Sequence, residues 1–190
     1  MNNFITFFKS PTMFFSKDKE DTSIIAFFLL FLAILFLRTY TSIFVVTSAD
    51  VSKLLDTLKL NQWCLVIISL VANLFILLVT VNIIYLLVSI STSIFEHINF
   101  NKKNVKNLIY VSYLVPITLS YFIQLIFMLV TKQSIPAIST NIISLFVYFI
   151  LSFMVFLILK ITIKTKNLHK YLPIIVFLGN SISCIKYFIK

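Results

Sequence analysis

Long apolar runs separated by short polar punctuation make up most of the chain, and the punctuation predicts the elements. The first run covers about 24–46, uncharged from Thr22 to Leu37, interrupted by Arg38 and resuming at Ile43. The second opens at Trp63, and no charge occurs from Leu60 to Phe95. At about 1.5 Å per residue that stretch exceeds the roughly 30 Å of bilayer hydrocarbon, yet it is too short for two crossings and a turn. It therefore reads as one long tilted helix, about 63–94, whose hydroxyl-rich end (Ser89 to Ser93) projects past the membrane. Further spans are expected at about 108–131, 138–159 and 171–189. The last is the weakest, because it holds Pro173, Gly179 and Asn180 and requires Lys186 to snorkel outward. The expected fold is an all-α integral membrane bundle of about five helices, forming a single domain over residues 1–190.

Polar residues inside these runs mark helix faces that need neighbours. Pro116 removes a backbone hydrogen bond from the third span, and a kink there persists only where packing re-satisfies the freed carbonyl. Gln124 lies two turns on, and Tyr113 and Tyr121 flank the proline. Together they predict that the third span is kinked and buried at the centre of the bundle. Asn73 and Asn82 in the second span, and Asn141 in the fourth, are expected to hydrogen-bond to neighbouring helices. Arg38, two-thirds along the first span, is costly there unless it snorkels or pairs. It is expected to snorkel to the headgroups beside Tyr40; the other reading is a site for an anionic lipid or a partner.

Composition fits this picture. Of the 190 residues, 60% are hydrophobic and 12% charged, about half the charge of a soluble domain. The net charge of +10 would point to nucleic acid if it lined one solvated face, but the basic residues punctuate apolar runs, so no nucleic-acid partner is expected. Ten lysines fall in the N-terminal segment and the second and fourth loops: Lys9, Lys17, Lys19, Lys102, Lys103, Lys106, Lys160, Lys164, Lys166 and Lys170. Five fall on the other side. The positive-inside rule then puts the N-terminus in the cytoplasm and, with five spans, the C-terminus outside. The abundance of Lys, Phe, Ile and Asn reads as an AT-rich genome, hence a bacterial plasma membrane. Asp18, Glu20 and Asp21 precede the first run and no small-residue cleavage site follows it, so that span is expected to stay in the mature protein. Phenylalanines interleaved with lysines around Ser10-Pro11 suggest a short helix lying in the headgroup region. Residues 47–62 read as a solvated connector in which Asp50 and Lys53, and Asp56 and Lys59, pair at three-residue spacing.

Groups able to carry chemistry are few. A single glycine, Gly179, rules out a Gly-rich phosphate loop and a G-x-S-x-G elbow. His97 and His169 both fall in loops, and Glu96-His97 are adjacent and so point apart, without a third ligand near in sequence. No Asp, Glu or His sits at a midplane, where a proton-coupled transporter would place one. Neither catalysis, cofactor nor metal is expected. Cys64 and Cys184 both fall near the outer ends of their spans; a disulfide and two independent small apolar residues are both open readings, the second preferred because neither cysteine lies in a C-x-x-C pattern.

The order of features resembles the Yip family of Rab/Ypt-interacting, five-span membrane proteins. The residues that carry the resemblance are the proline-and-aromatic entry FFKSPTMFF (Phe7 to Phe15), the long uninterrupted second span, the basic approach NVKNLIYVSYLVPITL (Asn104 to Leu119) into a proline-bearing third span, and the short last span. The resemblance implies a non-enzymatic protein that organises or assists other membrane components in trafficking or export. Its partners would be the lipid bilayer and a membrane protein or further copies of itself. The alternatives are a small permease or permease subunit of an ATP-binding-cassette exporter and a toxin-immunity membrane protein.

Overall fold

The computed structural model describes residues 24–46 and 60–185, together with Phe7, Lys9, Ser10, Phe14, Phe15, Ser52, Lys53, Leu55 and Thr57. Among these the regular structure is all helical. Helix α1 (Ile25–Tyr40) ends in a π turn, Thr41–Val45. Helix α2 (Gln62–Ser91) runs on through a π turn, Thr92–Glu96. Helix α3 is Lys102–Thr131, and α4 (Ala137–Leu157) closes in a π turn, Ile158–Ile163. Helix α5 is Leu168–Ile185.

Local chemistry starts and stops these helices. The Asn61 side chain accepts from the Trp63 N–H at 3.1 Å to open α2, and Asn101 accepts from the Asn104 N–H at 3.1 Å to open α3. With the one glycine at position 179, the left-handed residues that close helices are His97 (φ 51°), Lys132 (φ 53°) and Lys164 (φ 60°). Helices α2 and α4 end alike: the Ile98 N–H reaches the Thr92 carbonyl at 3.4 Å, and the Thr165 N–H reaches that of Leu159 at 3.0 Å. In each case a wide π turn is shut by a left-handed residue.

Among the described residues, four helices are long and apolar enough to cross a membrane: Ile25–Val45, Gln62–Glu96, Lys102–Thr131 and Ala137–Ile163. The fifth expected span is present as α5, but its 18 residues reach only about 27 Å, and His169, Lys170 and Pro173 occupy its first turns. It therefore falls short of the other four. Two span boundaries also move. Lys102, Lys103 and Lys106 lie inside the first turns of α3, not in a loop, because Asn101 starts the helix early. Lys160 lies within the π turn of α4, its Nζ 5.4 Å from the Phe156 ring centroid, so the second basic loop begins at Lys164. The uninterrupted second element is one helix, as expected.

Helix α3 is the hub, packing against α1, α2 and α4, while α4 pairs most extensively with α5. Its membrane window is 39% buried, against 17% for the equally long α2. Pro116 and Gln124 both face inward, at the centre of a helix assigned without a break from Lys102 to Thr131. The tightest packing surrounds its first half. There Val105, Leu108, Ile109 and Leu114 meet Val81, Ile84 and Val88 of α2 and Leu151, Ile158 and Leu159 of α4. Lipid is as apolar as leucine, so close packing rather than exclusion from water holds this core.

The described part of the N-terminal segment packs against the bundle. Phe7, Phe14 and Phe15 are buried, and Phe7 packs edge-on to Phe14 (5.2 Å) and Phe27 (5.7 Å). The Thr162 hydroxyl donates to the Phe15 carbonyl at 2.8 Å. The aromatic rings find one another, and the foot of α4, in preference to lipid. The expectations for Lys17, Lys19, Asp50, Asp56, Lys59 and Lys186 lie outside the described residues.

Candidate functional site

The feature with the most polar content inside the bundle joins α1, α2 and α3. Polar groups in a bilayer are stable only when they satisfy one another, and here they form a chain. Arg38 of α1 donates from Nε to Oε1 of Gln124 on α3 at 2.6 Å. Gln124 donates from Nε2 to the Ser120 hydroxyl one turn back at 3.2 Å. The Arg38 guanidinium carbon also sits 4.7 Å from the ring centroid of Tyr121, a cation–π contact that gains strength away from water. The Tyr121 hydroxyl donates to Oδ1 of Asn73 on α2 at 2.7 Å, and Asn73 Nδ2 donates to the Ser69 carbonyl of its own helix at 2.8 Å. Phe31 stacks on Tyr121 at 6.1 Å and closes the network on the α1 side.

The helical periodicity of the sequence brings these residues together. Ser120, Tyr121 and Gln124 share a face of α3 at one-turn spacing. Phe31 and Arg38 are seven residues apart on α1, so they line up on the face that meets it. The contacts ascend together along both helices, which makes α1 and α3 parallel.

The structure corrects the expectation for Arg38. Its side chain turns toward α3, where the Gln124 hydrogen bond and the Tyr121 ring hold it. Among the described residues its charge has no carboxylate partner; the electrostatic neighbour is Tyr121. Gln124 and Pro116 are buried on α3, and the half-buried Asn73 accepts a bond from another helix. Asn82 does not: its amide donates to the Leu78 carbonyl of its own helix at 2.7 Å, and its side chain is partly exposed. Cys64 and Cys184 are free thiols, the first exposed and the second buried.

A second polar cluster lies at the opposite end of the bundle. The Glu96 carboxylate, at the end of α2, accepts from the backbone N–H groups of Lys166 (2.7 Å), Asn167 (2.8 Å) and Leu168 (2.8 Å). These are the unpaired donors at the start of α5, where a helix terminus carries partial positive charge. His169 folds back on Thr165, with Nδ1 3.0 Å from its carbonyl oxygen. The Glu96 contact places the connection before α3 beside the one before α5. Lys102, Lys103, Lys106, Lys164, Lys166 and Lys170 therefore gather at one end of the molecule, with Lys106 Nζ 5.7 Å from the Tyr85 ring centroid. Sequence reasoning missed Glu96. The available signal was its isolation: it is the only acidic residue after Asp56.

At the end away from the lysines, Tyr40, Phe44 and Trp63 form an aromatic cluster, with Phe44 4.7 Å from Tyr40 and 5.0 Å from Trp63. Such rings settle at the headgroup level, and the cluster marks where the membrane surface crosses α1 and α2.

Compared with family models, with curated proteins and with solved structures, the chain matches none of them.

Proposed function

We propose that this is a non-enzymatic membrane protein, Yip-like in plan, that works as an accessory or organising subunit beside another membrane protein in trafficking or export. In this reading its lysine-rich end faces the cytoplasm of a bacterial cell. The observation that supports a protein partner is the far end of α2. Starting from the Trp63 anchor, even a helix tilted by about 40° leaves a 30 Å hydrocarbon layer after roughly 26 residues. Ile90, Ile94 and Phe95 lie beyond that point, yet they are 53%, 59% and 72% exposed. Apolar side chains past the hydrocarbon layer gain little from lipid tails, and a cluster of them marks a surface that another chain covers.

A photo-reactive amino acid at Phe95, compared with one at Ile68 in mid-membrane, tests this in native membranes. The expected result is a discrete protein adduct from position 95 and lipid adducts from position 68. Lipid adducts alone from both positions would remove the reading, and an adduct of twice the chain mass would identify the partner as a second copy.

A further inference from the structure

A groove of about 280 Å³ lies between α1 and α3, lined by Phe27, Leu30 and Ile34 on one side and Val115, Leu119 and Phe122 on the other. It is open along one side, and its only polar lining hydroxyl, that of Thr118, is already committed to the Leu114 carbonyl at 2.6 Å. Ile34 and Arg38 are one helical turn apart on the same face of α1, and helical side chains lean toward the helix N-terminus. The guanidinium therefore sits over the upper end of the groove. Tyr40 is two residues further along, about 3 Å of rise, and belongs to the aromatic cluster at the headgroup level. From that level downward the order is aromatic belt, cation, apolar groove.

We propose that this groove holds one acyl chain of an anionic phospholipid, with the lipid phosphate on Arg38. The charge of Arg38 selects the occupant. Of its five N–H donors, Nε is used by Gln124, and no other hydrogen-bond acceptor for it occurs among the described residues. The guanidinium, its carbon 4.7 Å from the Tyr121 ring centroid, keeps donors beyond Nε, and such donors form a fork that fits a phosphate. An acyl chain below that phosphate meets only hydrocarbon from Ile34 down to Phe27. The network on α3 then serves to orient Arg38. This site is independent of the partner surface on α2, and each can fail without the other.

The test is native mass spectrometry of the full chain extracted from vesicles of phosphatidylcholine and phosphatidylglycerol in equal amounts. The expected result is a one-to-one adduct enriched about five-fold in phosphatidylglycerol, the factor for one interfacial cation worth about 1 kcal/mol. Arg38→Gln brings the two lipids to parity. Leu119→Trp, at an exposed lip of the groove, loses the adduct while Arg38 stays in place, so the test holds even where the Arg38 variant fails to insert. Parity in the unaltered chain, selectivity that survives Arg38→Gln, an adduct that survives Leu119→Trp, or displacement of the lipid by millimolar inorganic phosphate would each overturn the proposal.

Discussion

The two polar clusters of this bundle are opposites. At one end a cation, Arg38, is held between the helices by a neutral amide and an aromatic face. At the other an anion, Glu96, is held by three backbone N–H groups beyond the apolar core. The first joins side chain to side chain, so both partners must be the right residues. The second joins a side chain to a helix terminus, and the sequence of α5 contributes only the fact of starting there. The first fixes how α1, α2 and α3 pack, and the second fixes where the short helix α5 begins.

That contrast makes Gln124→Leu the most damaging single change. It leaves the Arg38 Nε–H without an acceptor in a low-dielectric interior, where an orphaned polar group costs about 1–3 kcal/mol and a charged one the upper part of that range. The unfolding midpoint in SDS-containing mixed micelles should fall accordingly. Adding Arg38→Leu should recover most of the loss, because it removes the orphaned cation and leucine is preferred to arginine within a span. If the double variant is no better than Gln124→Leu alone, the Arg38–Gln124 bond does not hold the helices together.

Glu96→Gln comes next and acts elsewhere. The amide loses the charge and one acceptor oxygen; with its remaining oxygen at the Oε1 position it still serves Asn167 and Leu168 and leaves the Lys166 N–H facing an NH2 donor. Losing such a cap costs about 1 kcal/mol. Hydrogen exchange should speed up at the first turn of α5 and remain unchanged across α3. Equal acceleration in both helices would mean that the two clusters are not the separate devices described above.

The difference between the clusters also explains what could be read in advance. Arg38, Gln124 and Pro116 stand out because each is a polar or helix-breaking residue in a run of apolar ones, and a bilayer leaves such residues little choice but to turn inward. That logic placed α3 at the centre and offered Asn73, Asn82 and Asn141 as partners on neighbouring helices, without saying which of them Tyr121 would meet. It misplaced the Arg38 side chain, since one sequence cannot say that an acceptor on another helix lies within its reach. Glu96 was illegible for a different reason. It follows a helix and precedes a loop, where a carboxylate is ordinary, and its ligands are backbone atoms some 70 residues away, which no residue type advertises. The burial of Phe7, Phe14 and Phe15 was hidden similarly, because phenylalanines near lysines suit the headgroup region as well as an aromatic cluster.

Tyr121→Phe removes one hydroxyl from the first cluster and keeps the ring beneath Arg38. Asn73 loses its donor but retains its bond to the Ser69 carbonyl. The expected loss is about 0.6 kcal/mol, the average for interhelical hydrogen bonds in membranes. A loss above about 2 kcal/mol would show that Tyr121 does more than join two helices, and would place the weight of the network on α2 instead of α1.

The smallest effect separates two residues that look alike in sequence. Asn73 and Asn82 are both asparagines in the uncharged run of α2, and residue type alone gives them the same role, although nine residues at 3.6 per turn set them on opposite faces of the helix. Each amide donates to the carbonyl four residues back, at 2.8 Å for Asn73 and 2.7 Å for Asn82. Only Asn73 also accepts a bond from another helix. Asn73→Leu should therefore destabilise the bundle by about the same 0.6 kcal/mol as Tyr121→Phe, and combining the two should cost no more than either alone, because they remove one shared bond. Asn82→Leu breaks no bond between helices and replaces a partly lipid-exposed amide with a side chain that hydrocarbon prefers. Its unfolding midpoint should stay level or rise. A fall comparable to that of Asn73→Leu would mean that Asn82 meets a helix outside this chain, and the exposed face of α2 would then be an interface along its whole length, not only at the Phe95 end.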